Sequence, residues 1–203
     1  MTSQDGQDIF VLRTLDDKQN GFFVEIGAWD GIEFSNTYLL EKRHGWTGLL
    51  AEADPNALEK LKHNRPDALI DGRAVWRESG NKIEFLISPS GKLSGIKDNI
   101  TFDKTIKRGG TIQLIPTVTL DDLLDAHNCP QHIDYMSIDT EGSEYEIISA
   151  YSFSRTFGVI TIEHLNNKDK IISLMDEKGY KIARTFIQNF ETAFIPKNKN
   201  LTI

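Results

Sequence analysis

The chain has 203 residues, 39% of them hydrophobic, with 23 basic and 30 acidic side chains and a formal charge of −7. Such a length suits one domain that buries roughly 70% of its unfolded surface and needs no disulfide or metal to fold. Cys129 is the only cysteine, which excludes a disulfide scaffold and favours a reducing compartment. No apolar run approaches the ~20 residues of a membrane-spanning helix. The opening MTSQDGQDIF lacks the basic and apolar regions of a signal peptide, so a cytoplasmic location is expected. Net negative charge argues against gripping nucleic-acid phosphates, and small substrates remain compatible.

In chain order the pattern alternates strand, turn and helix. Phe22 to Ile26 reads as the first strand, Gly27 to Gly31 as a turn, and about Ser35 to Arg43 as a helix. Gly48 to Glu52 is the second strand. Pro55 suits the first turn of a helix that carries Ala57, Leu58 and Leu61 on one face and ends near Asn64, before Pro66. A third strand spans about Ala68 to Val75, and Lys82 to Ile87 is an additional strand or hairpin arm. Ser88 to Gly110 is polar and weakly periodic, the best candidate for a long substrate loop or lid. Leu120, Leu123, Leu124 and His127 then fall at helical spacing behind a Thr119 cap with Asp122 three residues on. Ile133 to Ile138 is a buried-type strand, Gly142 to about Tyr151 a helix, Val159 to Ile162 a strand and Lys168 to Lys178 a helix. Tyr180 to Phe186 and Glu191 to Ile195 close as an antiparallel pair around Gln188 and Asn189. The expected fold is α/β: a mostly parallel sheet covered by helices on both faces, with its ligand at the carboxyl ends of the strands.

The first strand runs into Val24-Glu25-Ile26-Gly27-Ala28-Trp29-Asp30-Gly31. A dinucleotide-binding turn would read G-x-G-x-x-G; here the spacing is G-x-x-x-G, with an acid inside the strand end. Glu25 repels a pyrophosphate and suits a cation such as the ammonium and sulfonium of S-adenosylmethionine. Glu52, 27 residues later, ends the second strand, where a carboxylate accepts hydrogen bonds from ribose hydroxyls. An NAD(P)-linked oxidoreductase is disfavoured by the missing glycine.

The stretch VEIGAWDGIEFSNTYLLEKRHGWTGLLAEADP resembles the core of the FkbM-type S-adenosylmethionine-dependent methyltransferases, which have the Rossmann-like class I fold. The resemblance extends to SQDGQD at positions 3–8, TVTLDDLL at 117–124 and IDTEGSE at 138–144. It implies O-methylation of a sugar or other small-molecule or glycan hydroxyl. Carried onto matching positions, Glu25, Gly27, Ala28 and Gly31 would hold the methionine and adenosyl parts, with Ser35, Asn36 and Thr37 beside them. Glu52, followed by Ala53, would hold the ribose, while Asp71 and Ala74 would approach the adenine. Gln7 and Asp8, in the family's opening motif, would lie against the site.

The fourth strand ends in Asp139-Thr140-Glu141-Gly142 and the fifth in Glu163-His164. Strand ends of a parallel sheet face one crevice, so Asp139, Glu163 and His164 form a possible Mg²⁺ or Mn²⁺ set, and Asp139 would also border the cofactor. The layout resembles that of catechol-type metal-dependent methyltransferases. The metal-free alternative has His164 as general base, oriented by Glu163 or Glu141. A third reading leaves His164 a hydrogen-bonded strand-end residue, and beside these stand a lipid or protein acceptor in place of the sugar, and a non-catalytic cofactor-binding module. Trp46 and Trp76 read as packing, whereas Trp29 sits where it could border the ligand. His44, His63, His127 and His132 read as surface or satisfied polar residues. Lys104, Lys107 and Arg108 make a small basic cluster in the expected lid, suited to steering an anionic acceptor.

Overall fold

The computed structural model describes residues 3–100, 109–164, 167–186 and 190–199. In chain order these form α1 (Gln7–Thr14), β1 (Phe22–Ile26), α2 (Tyr38–His44), β2 (Thr47–Ala51), α3 (Pro55–Asn64), β3 (Leu69–Asp71), β4 (Ala74–Val75), β5 (Lys82–Ile87), β6 (Gly95–Ile96) and β7 (Thr111–Val118). They continue as α4 (Leu120–Ala126), β8 (His132–Ile138), α5 (Glu144–Ala150), β9 (Thr156–Glu163), α6 (Lys168–Glu177), β10 (Tyr180–Thr185) and β11 (Glu191–Pro196).

Seven strands make the main sheet in the order β10-β11-β9-β8-β1-β2-β3. β3, β2, β1, β8 and β9 are mutually parallel, and β11 enters antiparallel between β9 and β10. Alternation assigns the faces: Val24, Ile26, Leu49 and Ala51 pack with residues of α4, α5 and α6. Phe23 and Leu50 point the other way, onto a layer with Val11 and Leu12 of α1, Leu40 of α2 and Leu61 of α3. Glu25 shares the Phe23 face and is aimed at that second layer. The strand order reverses at β1, between β2 and β8, which opens the crevice where open α/β sheets bind their ligands.

Two expected helix starts are visible as hydrogen bonds. The Asp54 carboxylate accepts from the backbone N–H of Asn56 at 2.8 Å with Pro55 in the first turn, and Thr119 Oγ1 accepts from Asp122 N at 3.2 Å. Such caps are each worth about 1 kcal/mol. Trp46 is buried and donates from its indole N–H to Lys18 O at 2.8 Å, a packing role as expected.

The structure differs from the sequence reading in five places. The expected third strand divides at Gly72-Arg73: Leu69–Asp71 joins the main sheet, while Ala74–Val75 leaves it to pair with β7. Asp71 causes the break by accepting from Arg73 N at 2.9 Å, a side-chain turn that ends the strand. α2 begins at Tyr38, not Ser35, because Ser35, Asn36 and Thr37 are spent on holding Glu25. α1 carries the unbroken apolar run Ile9 to Leu12, which hides a helical period. β7 contains Pro116, which argues against a strand. Thr117 N donates to Asn81 O at 2.9 Å, so Pro116's missing donor lies on the opposite edge, which β4 begins to cover only at Thr117. β7, β5, β6 and β4 form a second sheet of order β4-β7-β5-β6. β6 lies inside the expected 88–110 loop. Lys104, Lys107 and Arg108, like the Gln188-Asn189 turn, fall outside the described residues. Among the described residues no helix is long and apolar enough to cross a membrane.

Candidate active site

A cavity of about 410 Å³ opens at the carboxyl ends of β1, β2 and β8 and reaches the second sheet. Its floor is the turn after β1. Gly27 and Ala28 both donate their N–H to Ala51 O, and Asp139 N donates to Ile26 O at 3.0 Å, so the turn is fixed to β2 and β8. Gly27 has φ +85°, and a Cβ there would fall 1.7 Å from the Asp139 carbonyl oxygen. Only glycine fits.

Two acids line this floor. Glu52 accepts from Trp29 N at 2.8 Å and from Asp54 N at 2.7 Å; burial still pushes its carboxyl up to about 7. Glu25 accepts from Ser35 Oγ at 2.9 Å, Asn36 N at 2.8 Å and Thr37 Oγ1 at 2.5 Å. Burial raises it too, while Arg65 and these hydrogen bonds act against the rise. Beside the acids the wall turns apolar, with Ala53, Ala74, Val75, Phe85 and Ile96 from the seam between the sheets.

The loop from Ser88 covers the opposite side. Ser94 Oγ accepts from Ser88 N and donates to Asp54 Oδ2 at 2.7 Å. Lys92 reaches Glu33 Oε1 at 2.5 Å, with its ammonium 4.8 Å from the Trp29 ring centre and 4.7 Å from that of Phe34. Trp29 therefore borders the cavity, and Phe34 and Phe190 stand half exposed on its wall.

The far end is acidic. Asp139, Glu141 and Glu163 all line the cavity, and among the described residues it is neighbouring acids whose charges push Glu141 and Glu163 up. Burial, then Asp139 and Glu144, push Glu141 up to about 8, and its backbone is left-handed at φ +60°. Burial raises Asp139 and Glu163 as well, and the neighbouring Asp139 carboxyl pushes Glu163 further up. Carboxylate oxygens of Asp139, Glu144 and Glu163 lie within 4.8 Å of one another. Glu144 Oε1 accepts from Thr140 N, Thr140 Oγ1 and Gly142 N, each at 2.9 Å, and Glu163 Oε2 is buried with no partner.

Of the residues expected from sequence, Glu25, Gly27, Ala28, Ser35, Asn36, Glu52, Ala53, Ala74, Asp139, Glu141 and Glu163 meet on this one cavity. Six others lie off its described wall. His164 follows Glu163, so alternation turns it to the opposite side, where its Nε2 pairs with Thr192 Oγ1 at 2.8 Å; Glu144 takes its place in the acid trio. Asp71 is held by Arg73 and by His127 Nε2 at 2.9 Å. Gly31 and Thr37 act behind the wall, on Arg65 and Glu25. Gln7 is buried against Glu191, Asp8 accepts from Ser3 Oγ at 2.6 Å, and the neighbouring Gln4 lines the cavity instead. Sequence reasoning missed Arg65, Glu144 and Lys92. Only the position of Glu144, in the first turn of a helix just after a strand-end acid, carried a signal.

The family model described as the methyltransferase FkbM domain matches residues 25–182, more than half of the chain. No curated protein sequence matches it. Among solved structures, a precorrin-6y C5,15-methyltransferase from Geobacter metallireducens GS-15 is similar at TM-score 0.50 and 14% identity, covering 93% of this chain and 84% of its own. The N-terminal domain of human METTL16 is similar at TM-score 0.50 and 12% identity, with 93% and 67% covered. The METTL16 MTase domain in a second crystal form gives 0.54 and 10%, with 93% and 64% covered. At these identities the likeness is one of fold: a class I, Rossmann-like methyltransferase sheet with flanking helices.

Proposed function

The chain belongs to the FkbM methyltransferase family and is an S-adenosylmethionine-dependent methyltransferase; from this premise we propose that its acceptor is a hydroxyl of a sugar or other small glycan-type molecule, activated with the help of a divalent cation. One observation carries the reading: a single cavity holds Glu25 and Glu52 beside an apolar seam, and a second acid group, Asp139, Glu141 and Glu163, at its far end. The first part suits the cofactor. Its adenine would take the Ala53, Ala74, Val75, Phe85 and Ile96 surface, its ribose Glu52, and its cationic methionine end the Glu25 side. The strap at Lys92 to Ser94 would cover it.

The second part suits a hard cation. Asp139, Glu144 and Glu163 offer only carboxylate oxygens, and the partnerless Glu163 Oε2 is the orphaned atom such an ion would satisfy. A Mg²⁺ or Mn²⁺ ion bound there would supply Lewis-acid chemistry, orienting the acceptor oxygen and lowering its pKa. Glu141, raised to about 8, is the base placed to take the hydroxyl proton. The cavity walls would hold oxygen, methyl carbon and sulfur in line, so most of the acceleration comes from positioning. The same raised Glu141 favours a second reading, in which it works without metal.

Methyl transfer from labelled cofactor to a sugar panel, with EDTA and then with Mg²⁺ or Mn²⁺, tests both. The expected result is sugar labelling lost in EDTA and restored by the ion, with Glu163→Gln inactive in either. Full turnover in EDTA leaves only the Glu141 reading, and labelling of no hydroxyl acceptor refutes both.

A further inference from the structure

Arg65 is fully buried and does not line the cavity. Its Nε donates to Glu41 Oε2 at 2.7 Å, and one terminal nitrogen donates to Gly31 O at 2.9 Å and Ser35 Oγ at 3.3 Å. The other donates to Thr37 Oγ1 at 3.2 Å. Its guanidinium also lies 5.4 Å from the Phe23 ring centre and 5.6 Å from that of Tyr38. The same two hydroxyls donate to Glu25 Oε2. An arginine can only donate, so each hydroxyl that accepts from it must turn its own hydrogen elsewhere, and the carboxylate lies there.

We propose that Arg65 is the positioning residue for the cofactor's methionine end: through Ser35 and Thr37 it locks two hydroxyl donors onto Glu25, and through Gly31 it fixes the turn beside it. The inference rests on the reading that Glu25 meets the cationic amino-acid part of the cofactor. On its far side Arg65 pairs with Glu41, which also meets Lys42, so the guanidinium is held in place while its charge opposes the rise of Glu25 and favours the carboxylate that the ligand's ammonium would meet.

Two ligands separate this role from a merely structural one. S-adenosylhomocysteine carries the amino-acid part; 5′-methylthioadenosine has the nucleoside without it. By calorimetry, Arg65→Met is expected to weaken S-adenosylhomocysteine at least about tenfold, as loss of a charge-assisted contact does, while methylthioadenosine stays within about twofold. Arg65→Lys should recover part of the loss. Ser35→Ala/Thr37→Val cuts the relay but leaves Arg65 its bonds to Glu41 and Gly31, and it should show the same selectivity even if Arg65→Met does not fold. Equal weakening of both ligands by the folded variants, or no weakening of S-adenosylhomocysteine, overturns the inference alone. A wild-type chain that binds neither ligand overturns the cofactor reading and this inference with it.

Discussion

Replacing Glu52 with Gln turns a buried carboxylate into a neutral group of the same shape, and the structure fixes the size and sign of the pH effect. The folded carboxyl is raised from its ordinary 4.5 to about 7, chiefly by burial. A shift of that size corresponds to roughly 3 kcal/mol. A raised carboxyl favours the folded state while protonated, so this contribution is fully present below pH 4.5 and is lost as pH rises through 7. The amide cannot accept from both Trp29 N and Asp54 N, so the variant carries a fixed penalty of about 1–3 kcal/mol, independent of pH. The other raised acids are common to both proteins and cancel in the difference. Urea denaturation at steps from pH 5 to pH 8 should therefore show the wild type losing about 2.5 kcal/mol relative to Glu52→Gln across the range. A gap that stays constant with pH would refute the reasoning, because the carboxylate would then be no worse solvated folded than unfolded.

Gly27→Ala should abolish S-adenosylhomocysteine binding and lower stability by more than about 3 kcal/mol, since the left-handed backbone and the Asp139 carbonyl both oppose a Cβ. Gly80→Ala, at φ +82° but with nothing within 4 Å of its Cβ, should show only the backbone part, about 1–2 kcal/mol; calorimetry and melting check both. His164→Ala should lower stability by about 1–3 kcal/mol through its buried bond to Thr192, yet leave the turnover of folded protein within a few fold in initial-rate assays. Lys92→Ala should change stability by less than about 1 kcal/mol, as its pair with Glu33 is half exposed. It should also speed S-adenosylhomocysteine release several-fold by unpinning the strap over Trp29, read by stopped-flow tryptophan fluorescence.

The parallel strands and their helices were legible because apolar spacing and caps are local: Phe22 to Ile26, Pro55 to Asn64 and Lys82 to Ile87 stand at the expected bounds. Glu25 and Glu52 were legible for a related reason, since a strand end facing the crevice follows from chain order alone. Asp71 and His164 lie off the cavity wall because the direction of a side chain past a strand end depends on local turns, here the Asp71-to-Arg73 bond and the alternation after Glu163. Arg65 was beyond reach. A charged residue at the end of a helix reads as solvated, and only the tertiary meeting of α3 with the Gly31 turn and Ser35 to Thr37 makes it a buried organiser.

The two-residue strand β4 has a consequence for how the cavity is walled. By leaving the main sheet at Gly72-Arg73 to pair with β7, the chain sets a second sheet beside the first, so that Phe85, Ile96 and the residues after Ser88 supply one wall of the cavity while Glu25, Glu52 and Asp139 stand at the strand ends of the main sheet. On the proposed reading, rewriting the loop after β5 would therefore loosen the hold on the methyl donor as well as alter which molecule is admitted, because Phe85, Ile96 and the Lys92 strap share that wall.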